Sequence, residues 1–484
     1  MSFKKKAING FSWTIFEGIF SQGSVFLVGI VLARLLSPKD FGLVGIITAI
    51  ITVANSVVEA GFGTALIRKI DATENDFNTV FYTNLLTACV LYFILYITAP
   101  SIASFFETPS LNELIKVSGV VLIINAVSLI QRTLLTKILE FKKLGFIAII
   151  SSIISGAIAI FMAYSNFEIW SLIAFFILRP FITTILLWLF ASWIPKLIFS
   201  LESFKELFDY GYKLLIGNLI NTAYKNAYYF IIGKFFTPIA LGFYTRADQF
   251  QTPFSTNIAV AIRRISFPIL SNFQNDQKNL KAKFVQFMRY SMFLNFTIML
   301  SIAAMAEPII LLLIGEKWRQ SIIYLQLLCI PGLLYPLQIL HLNLLLVKGY
   351  SNLNLKLEII KKIILVPIIL VTINYSIKHM IWGLVIFSII EYFINSFYTK
   401  KIIKYDLKNQ IKDAIPFILI ALTTSSVMYA ISYLTNLPYH LLVLLQLITG
   451  LFVFLITNEV FKTNEYLTMK VKVITIFKKI KDGK

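Results

Sequence analysis

Val80–Ala103 reads VFYTNLLTACVLYFILYITAPSIA and carries no Asp, Glu, Lys or Arg. A bilayer core about 30 Å thick is crossed by a helix of about 20 residues. This stretch is long enough to span and too apolar to lie against water. Phe146–Ala163, Leu172–Ala191 (interrupted by Arg179) and Leu441–Ile456 are runs of the same kind.

Hydrophobic residues make up 58% of the 484-residue chain and charged residues 14%, with mean hydropathy +0.79. A soluble domain carries roughly a quarter charged residues, so a soluble fold could not cover its surface. The expected fold class is all-α integral membrane, with about fourteen transmembrane helices. The spans are read at 10–34, 41–65, 79–105, 115–135, 143–165, 169–192, 208–232, 247–267, 286–314, 321–348, 355–375, 378–399, 413–435 and 439–461. The fourth is weak, and the eighth is polar enough to escape a hydropathy window. Lys4–Lys6 before an apolar stretch resembles a signal peptide. That stretch runs on to Ala33 and carries Glu17 and Gln22, so an uncleaved first helix fits better.

The formal charge of +20 suggests nucleic acid, but the basic residues cluster in alternate loops and not on a recognisable binding module. No nucleic-acid partner is expected. With the N-terminus inside, Lys and Arg favour the inner segments about fourfold. Those segments include Arg68, Lys69, Arg132, Lys137, Lys361, Lys362, 400–412 and the tail 462–484, whereas Arg34, Lys116, Lys234 and Arg319 lie outside. Both termini are therefore expected in the cytoplasm, and the basic tail can rest on the anionic inner leaflet. Cys89 and Cys329 sit in apolar runs and read as small hydrophobes. Nothing points to a metal, a cofactor, a phosphate-binding glycine loop or a nucleophile elbow, so no enzyme is expected.

Leu32–Gly42 (LARLLSPKDFG) is echoed 200 residues later by Ile232–Gly242 (IGKFFTPIALG). In both, a base ends one helix, a small hydroxyl residue and Pro make the turn, and Gly begins the next. One helix on, Ala65–Ile70 (ALIRKI) matches Val260–Ile265 (VAIRRI). Two matches in the same order imply an internal repeat. Six spans separate the copies, so the repeat is parallel, which gives two six-helix lobes, MATE-like, plus two C-terminal helices. The expected domains are an N-lobe 1–205, a C-lobe 206–404, two extra helices 405–461 and a basic cytoplasmic tail 462–484.

Ionisable groups at bilayer depth are costly and usually face a cavity or a partner. Gly10, Thr14, Glu17, Ser21 and Ser24 form a stripe on the first span, and Thr48, Thr52, Asn55, Glu59 and Gly63 one on the second. The seventh carries Lys213, Gly217, Asn221, Tyr224, Lys225 and Tyr228, and the eighth Gln249, Thr252, Ser255, Thr256 and Arg263. These repeat-related helices are expected around a hydrated cavity. Small polar residues also pack helices together in membranes, and Glu17 or Glu59 can instead neutralise Arg179. Glu307 and Glu391 read as interlobe or lipid-interface residues, and His341 as a hydrogen-bonded core histidine.

Leu32–Gly45 (LARLLSPKDFGLVG) with Glu59–Lys69 (EAGFGTALIRK) resembles the opening signature of bacterial Wzx-type polysaccharide exporters, closest to the WzxC-like colanic/teichuronic branch. The wider group is the multidrug/oligosaccharidyl-lipid/polysaccharide (MOP) exporter superfamily. The resemblance spans the whole chain in span count and plan, with sharp motif matching confined to the first seventy residues or so. It implies a flippase of the bacterial cytoplasmic membrane that moves a polyprenyl-pyrophosphate-linked oligosaccharide by alternating access, for surface polysaccharide such as capsule, exopolysaccharide or lipopolysaccharide. The implied partners are that lipid-linked substrate, membrane lipids, H⁺ or Na⁺, and a polysaccharide polymerase.

A pyrophosphate headgroup needs cations in the cavity. Lys213, Lys225 and Arg179 are the candidates, with Arg263 and Arg264 at the cytoplasmic mouth. Asn221, Tyr224, Tyr228 and Gln249 suit sugar contacts, and Glu17 and Glu59 suit ion coupling or charge balance. Two other functions compete. A cation-coupled multidrug exporter should have an acidic, aromatic-lined cavity, against which the lysines argue. A non-transporting scaffold for glycosyltransferases would flip nothing.

Overall fold

The computed structural model describes residues 18 and 21–481. The described elements are helical: α1 (Ser21–Leu35), α2 (Pro38–Glu59), α3 (Phe62–Arg68), α4 (Glu74–Phe105), α5 (Leu111–Ser118), α6 (Val120–Lys137), α7 (Phe141–Tyr164), α8 (Ile169–Phe190), α9 (Leu201–Lys225) and α10 (Ala227–Phe235). They continue as α11 (Pro238–Asn272), α12 (Gln277–Ala304), α13 (Ala306–Leu313), α14 (Gln320–Val347), α15 (Ser351–Thr372), α16 (Ile377–Ile403), α17 (Leu407–Leu434), α18 (Tyr439–Phe461) and α19 (Asn464–Lys481).

Ten helical stretches are long and apolar enough to cross a membrane, with α2–α3 and α5–α6 each counted as one. Large apolar side chains face outward along them, including Phe93 at 64%, Leu189 at 74% and Phe452 at 64% exposure. In water such a surface would aggregate; in lipid it is the solvated face. The other expected spans fall on α1, α9–α10, α11 and α15, which are helical but shorter or more polar.

Several boundaries differ from the sequence reading, for local reasons. The eighth expected span, 247–267, lies inside α11, which runs from Pro238 to Asn272 and contains Pro253 and Pro268. The ninth, 286–314, is broken at Met305 into α12 and α13. The second ends early, at Glu59: Ala60 (φ 40°) and Gly61 (φ 72°) both adopt left-handed backbone, which ends α2 and lets α3 start at Phe62.

Turn chemistry explains the repeated motif. Ser37 caps α2 in a capping box with Asp40, with Pro38 in the first turn. Thr237 occupies the same place before α11, its Oγ1 accepting from Ala240 N at 3.2 Å. Both copies are therefore helix starts built the same way.

The chain forms two compact units, divided between Thr245 and Arg246. In the first, Phe62, Leu66, Phe81 and Ile130 are buried together where α3, α4 and α6 meet. In the second, Phe284, Met288, Leu340, Leu344 and Phe417 join α12, α14 and α17. That unit is closed at one end by Arg289 of α12. Its guanidinium donates to Glu465 of α19 at 2.7 and 3.2 Å and to Asp413 of α17 at 2.9 Å.

Candidate functional site

In the first unit, polar side chains from five helices form two hydrogen-bonded groups. Asn125 of α6 donates to Asn55 Oδ1 of α2 at 3.1 Å, and Asn55 donates to Glu59 at 3.1 Å. Arg179 of α8 donates to Ser152 Oγ of α7 at 3.2 Å and to Ser21 Oγ of α1 at 3.0 Å. Of the two acids that could instead neutralise it, Glu59 does not: among the described residues, Arg179 has no carboxylate within ion-pair distance. Glu17, with Gly10 and Thr14 of the same stripe, lies outside the described residues.

Lys213 and Lys225 are exposed on α9, and neither has a carboxylate within ion-pair distance among the described residues. Lys213 lies 5.5 Å above the Tyr212 ring. Lys225 is the last residue of α9, where the helix is interrupted at Asn226 before α10 resumes at Ala227. Asn226 turns its amide back to Thr222 O at 2.8 Å. At Gly211, two residues before Lys213, α9 crosses the α2–α3 break so closely that a Cβ there would stand 2.7 Å from Ala60 O. The geometry thus places two cations, without carboxylate partners among the described residues, on a discontinuous helix, one of them beside the break that follows Glu59.

The expected sugar contacts divide. Asn221 is exposed and Tyr224 half-buried on α9, while Tyr228 of α10 is buried and stacked on Tyr244, ring centroids 6.3 Å apart. Gln249, Arg263 and Arg264 are exposed on α11. Tyr335 of α14 lies within electrostatic reach of Arg263.

Sequence reasoning missed a cluster in the second unit. Lys361, read as an inner-side loop charge, is buried midway along α15 at 2% exposure. It pairs with Glu358 of its own helix and with Glu391 of α16 at 2.9 Å. Glu391 is therefore neither an interlobe nor a lipid-interface residue but half of a cross-helix ion pair. The available signal was an acid three residues before a base within one helix, with a second acid in the next. His341 is a buried, hydrogen-bonded histidine as expected, its Nδ1 2.6 Å from Thr399 Oγ1. Glu307 pairs with Arg319 at 3.1 Å.

This arrangement is that of a multi-pass helical membrane protein. Residues 31–323 match the family described as polysaccharide biosynthesis protein, and the chain belongs to that family. Teichuronic acid biosynthesis protein TuaB of Bacillus subtilis is 28% identical over 305 residues, which is 62% of each chain, so the match spans less than two thirds of that relative. Lipopolysaccharide biosynthesis protein WzxC of Escherichia coli is 24% identical over 377 residues, 77% of this chain and 76% of that one. Among solved structures, lipid II flippase MurJ in an inward closed conformation superposes with TM-score 0.76 at 15% identity, covering 94% of this chain and 98% of that one. An inward-facing MATE multidrug transporter gives TM-score 0.61 at 14% identity, covering 79% and 96%. At such identities the likeness is one of fold.

Proposed function

We propose that the protein is a flippase that carries a polyprenyl-pyrophosphate-linked oligosaccharide across the bacterial cytoplasmic membrane, for surface polysaccharide. In this reading the ten apolar spans are joined by α1, α9–α10, α11 and α15 to make fourteen. They form two six-helix lobes in parallel repeat plus α17 and α18, with both termini cytoplasmic.

The observation that carries the proposal is the set of cations without carboxylate partners. Lys213, Lys225 and Arg179 lie in helices read as membrane-spanning, and none has a carboxylate within ion-pair distance among the described residues. An unneutralised cation at that depth costs several kcal/mol by order of magnitude, a cost that an anionic pyrophosphate headgroup would offset through charge-assisted hydrogen bonds. Arg263 and Arg264 receive the headgroup, Asn221, Tyr224, Tyr228 and Gln249 contact the sugars, and Glu17 and Glu59 serve coupling or charge balance. The polyprenyl tail stays in lipid.

The drug-exporter reading is disfavoured by the same lysines, since an organic cation would be repelled where a pyrophosphate is attracted. Complementation separates them. In a strain deleted for this gene, plasmid-borne wild type restores surface polysaccharide. Restored drug resistance without polysaccharide would favour the exporter.

A further inference from the structure

Lys361 sits about 15 Å from either end of α15 at 1.5 Å per residue, too deep for bulk water to screen it. Its ammonium faces two carboxylates, Glu391 Oε1 across the α15–α16 interface at 2.9 Å and Glu358 on its own helix. One positive and two negative charges leave the cluster with a net charge of −1. In a low-dielectric interior such a surplus is expensive, and one further cation would remove it.

On α15 itself, Lys362 follows Lys361 and stands four residues after Glu358. From α14, Tyr335 lies within electrostatic reach of Glu358 and Glu391, and His341 within reach of Lys361. Arg263 of α11 acts on Tyr335. Tyr392 of α16 donates its hydroxyl to Gln410 of α17 at 2.7 Å. Arg289 of α12 and Asp413 of α17 are committed to each other at 2.9 Å.

A second observation points to the cation. Glu391, Asn395 and Thr399 recur every four residues, so they form one line on α16. Asn395 is 2% exposed, and both of its side-chain polar atoms lack a protein partner. Thr399 donates to Asn395 O at 3.3 Å, so its oxygen is left to accept from His341 Nδ1. That leaves His341 Nε2, also buried and without a partner, as a bare acceptor. Asn395 and His341 thus carry open buried polar atoms between Glu391 and the helix end, which lies one turn beyond Thr399 at Ile403. Packing needs no such atoms, and each orphaned group is costly to bury.

We infer that Glu391 is a proton-binding site reached along Thr399 and Asn395, and that its occupancy is the coupling event of the transport cycle. On uptake, an oxygen of the Glu391 carboxylate gains the proton. Lys361 keeps all of its own and stays paired with Glu358. The cluster becomes neutral, and the ion pair tying α15 to α16 is lost. The coupling role rests on the flippase reading, but proton binding does not.

The test has two arms. In purified protein in detergent, infrared difference spectra on acidification show the C=O band of a protonated carboxylic acid. Glu391→Gln removes that band, and Glu358→Gln, which leaves Lys361 and Glu391 as a neutral pair, shifts the band to more acidic pH, with both variants checked for wild-type membrane level and a single elution peak. A band unchanged in Glu391→Gln overturns the site. In liposomes holding a pyrophosphate-linked oligosaccharide, a proton gradient accelerates wild-type flipping severalfold, and Glu391→Gln loses that stimulation. Equal stimulation of the variant, or stimulation by a sodium gradient alone, overturns the coupling role. Wild type that binds the proton as described but flips nothing contradicts the flippase reading and leaves the proton site standing.

Discussion

Gly42 and Gly242 occupy the same position in the two copies of one sequence pattern, and each lies against the other copy's proline. A Cβ on Gly42 would collide with Pro238 O, and a Cβ on Gly242 with Pro38 O. Two stretches 200 residues apart are thus related twice, once in sequence and once by reciprocal backbone contact. The atoms in the way are main chain at two capped helix starts, and these cannot swing aside as a side chain would.

Gly42→Ala and Gly242→Ala are each expected to lower stability by about 1–3 kcal/mol through overpacking, read as a fall in the thermal midpoint of detergent-purified protein. Gly217→Ala on α9 is the control, because open space surrounds that position. It should be neutral or raise stability by about 0.5–1 kcal/mol, as Ala favours helix over Gly. Equal effects at all three sites would remove the crossing from the account.

Lys213→Ala and Lys225→Ala are expected to abolish surface polysaccharide while the protein stays in the membrane at normal level. Lys225→Arg should retain part of the activity, since the charge survives and the hydrogen-bonding shape changes. Polysaccharide yield with an immunoblot of the membrane fraction checks both.

Arg289 holds α12, α17 and α19 together through Asp413 and a nearly buried Glu465. Arg289→Ala should cost about 1.5–3 kcal/mol, the range for hydrogen bonds to charged groups, and expose α19 to protease. Limited proteolysis should cut the variant near residue 464 before any other site and spare the wild type.

Lys69, at the end of α3, bonds Glu206 of α9 at 2.8 Å and Asp76 of α4 at 3.1 Å. The hydrogen bond it donates to Glu206 leads in holding its ammonium above the ordinary 10.5. A raised lysine contributes stability that is present below its unfolded value and is lost as pH rises through the folded one. The stability gap between wild type and Lys69→Gln should therefore stay constant from neutral pH into mild alkali and close only above 10.5. Thermal midpoints across that range measure it, and a gap closing near neutral pH would contradict the assignment.

Apolar runs such as Val80–Ala103 announced the membrane class, because hydrocarbon imposes length and composition on any span. The helix starts at Ser37 and Thr237 were legible because capping is local chemistry. The Lys361–Glu358–Glu391 cluster was not legible, because counting bases by topology assumes that each lies in a loop, and the pairing that allows Lys361 inside the bilayer comes from another helix. The hydroxyls on α1 and α7 that accept from Arg179 were not legible either, because serines give no sign in sequence of which way they point. The interruption at Asn226, which sets the place of Lys225, left no Pro or Gly to mark it.

The central claim is tested most directly by reconstituting the purified protein in liposomes with a fluorescent polyprenyl-pyrophosphate oligosaccharide and measuring its movement between leaflets. The account predicts protein-dependent flipping that Lys213→Ala and Lys225→Ala abolish. Flipping no faster than in protein-free liposomes, or undiminished in both variants, would contradict it.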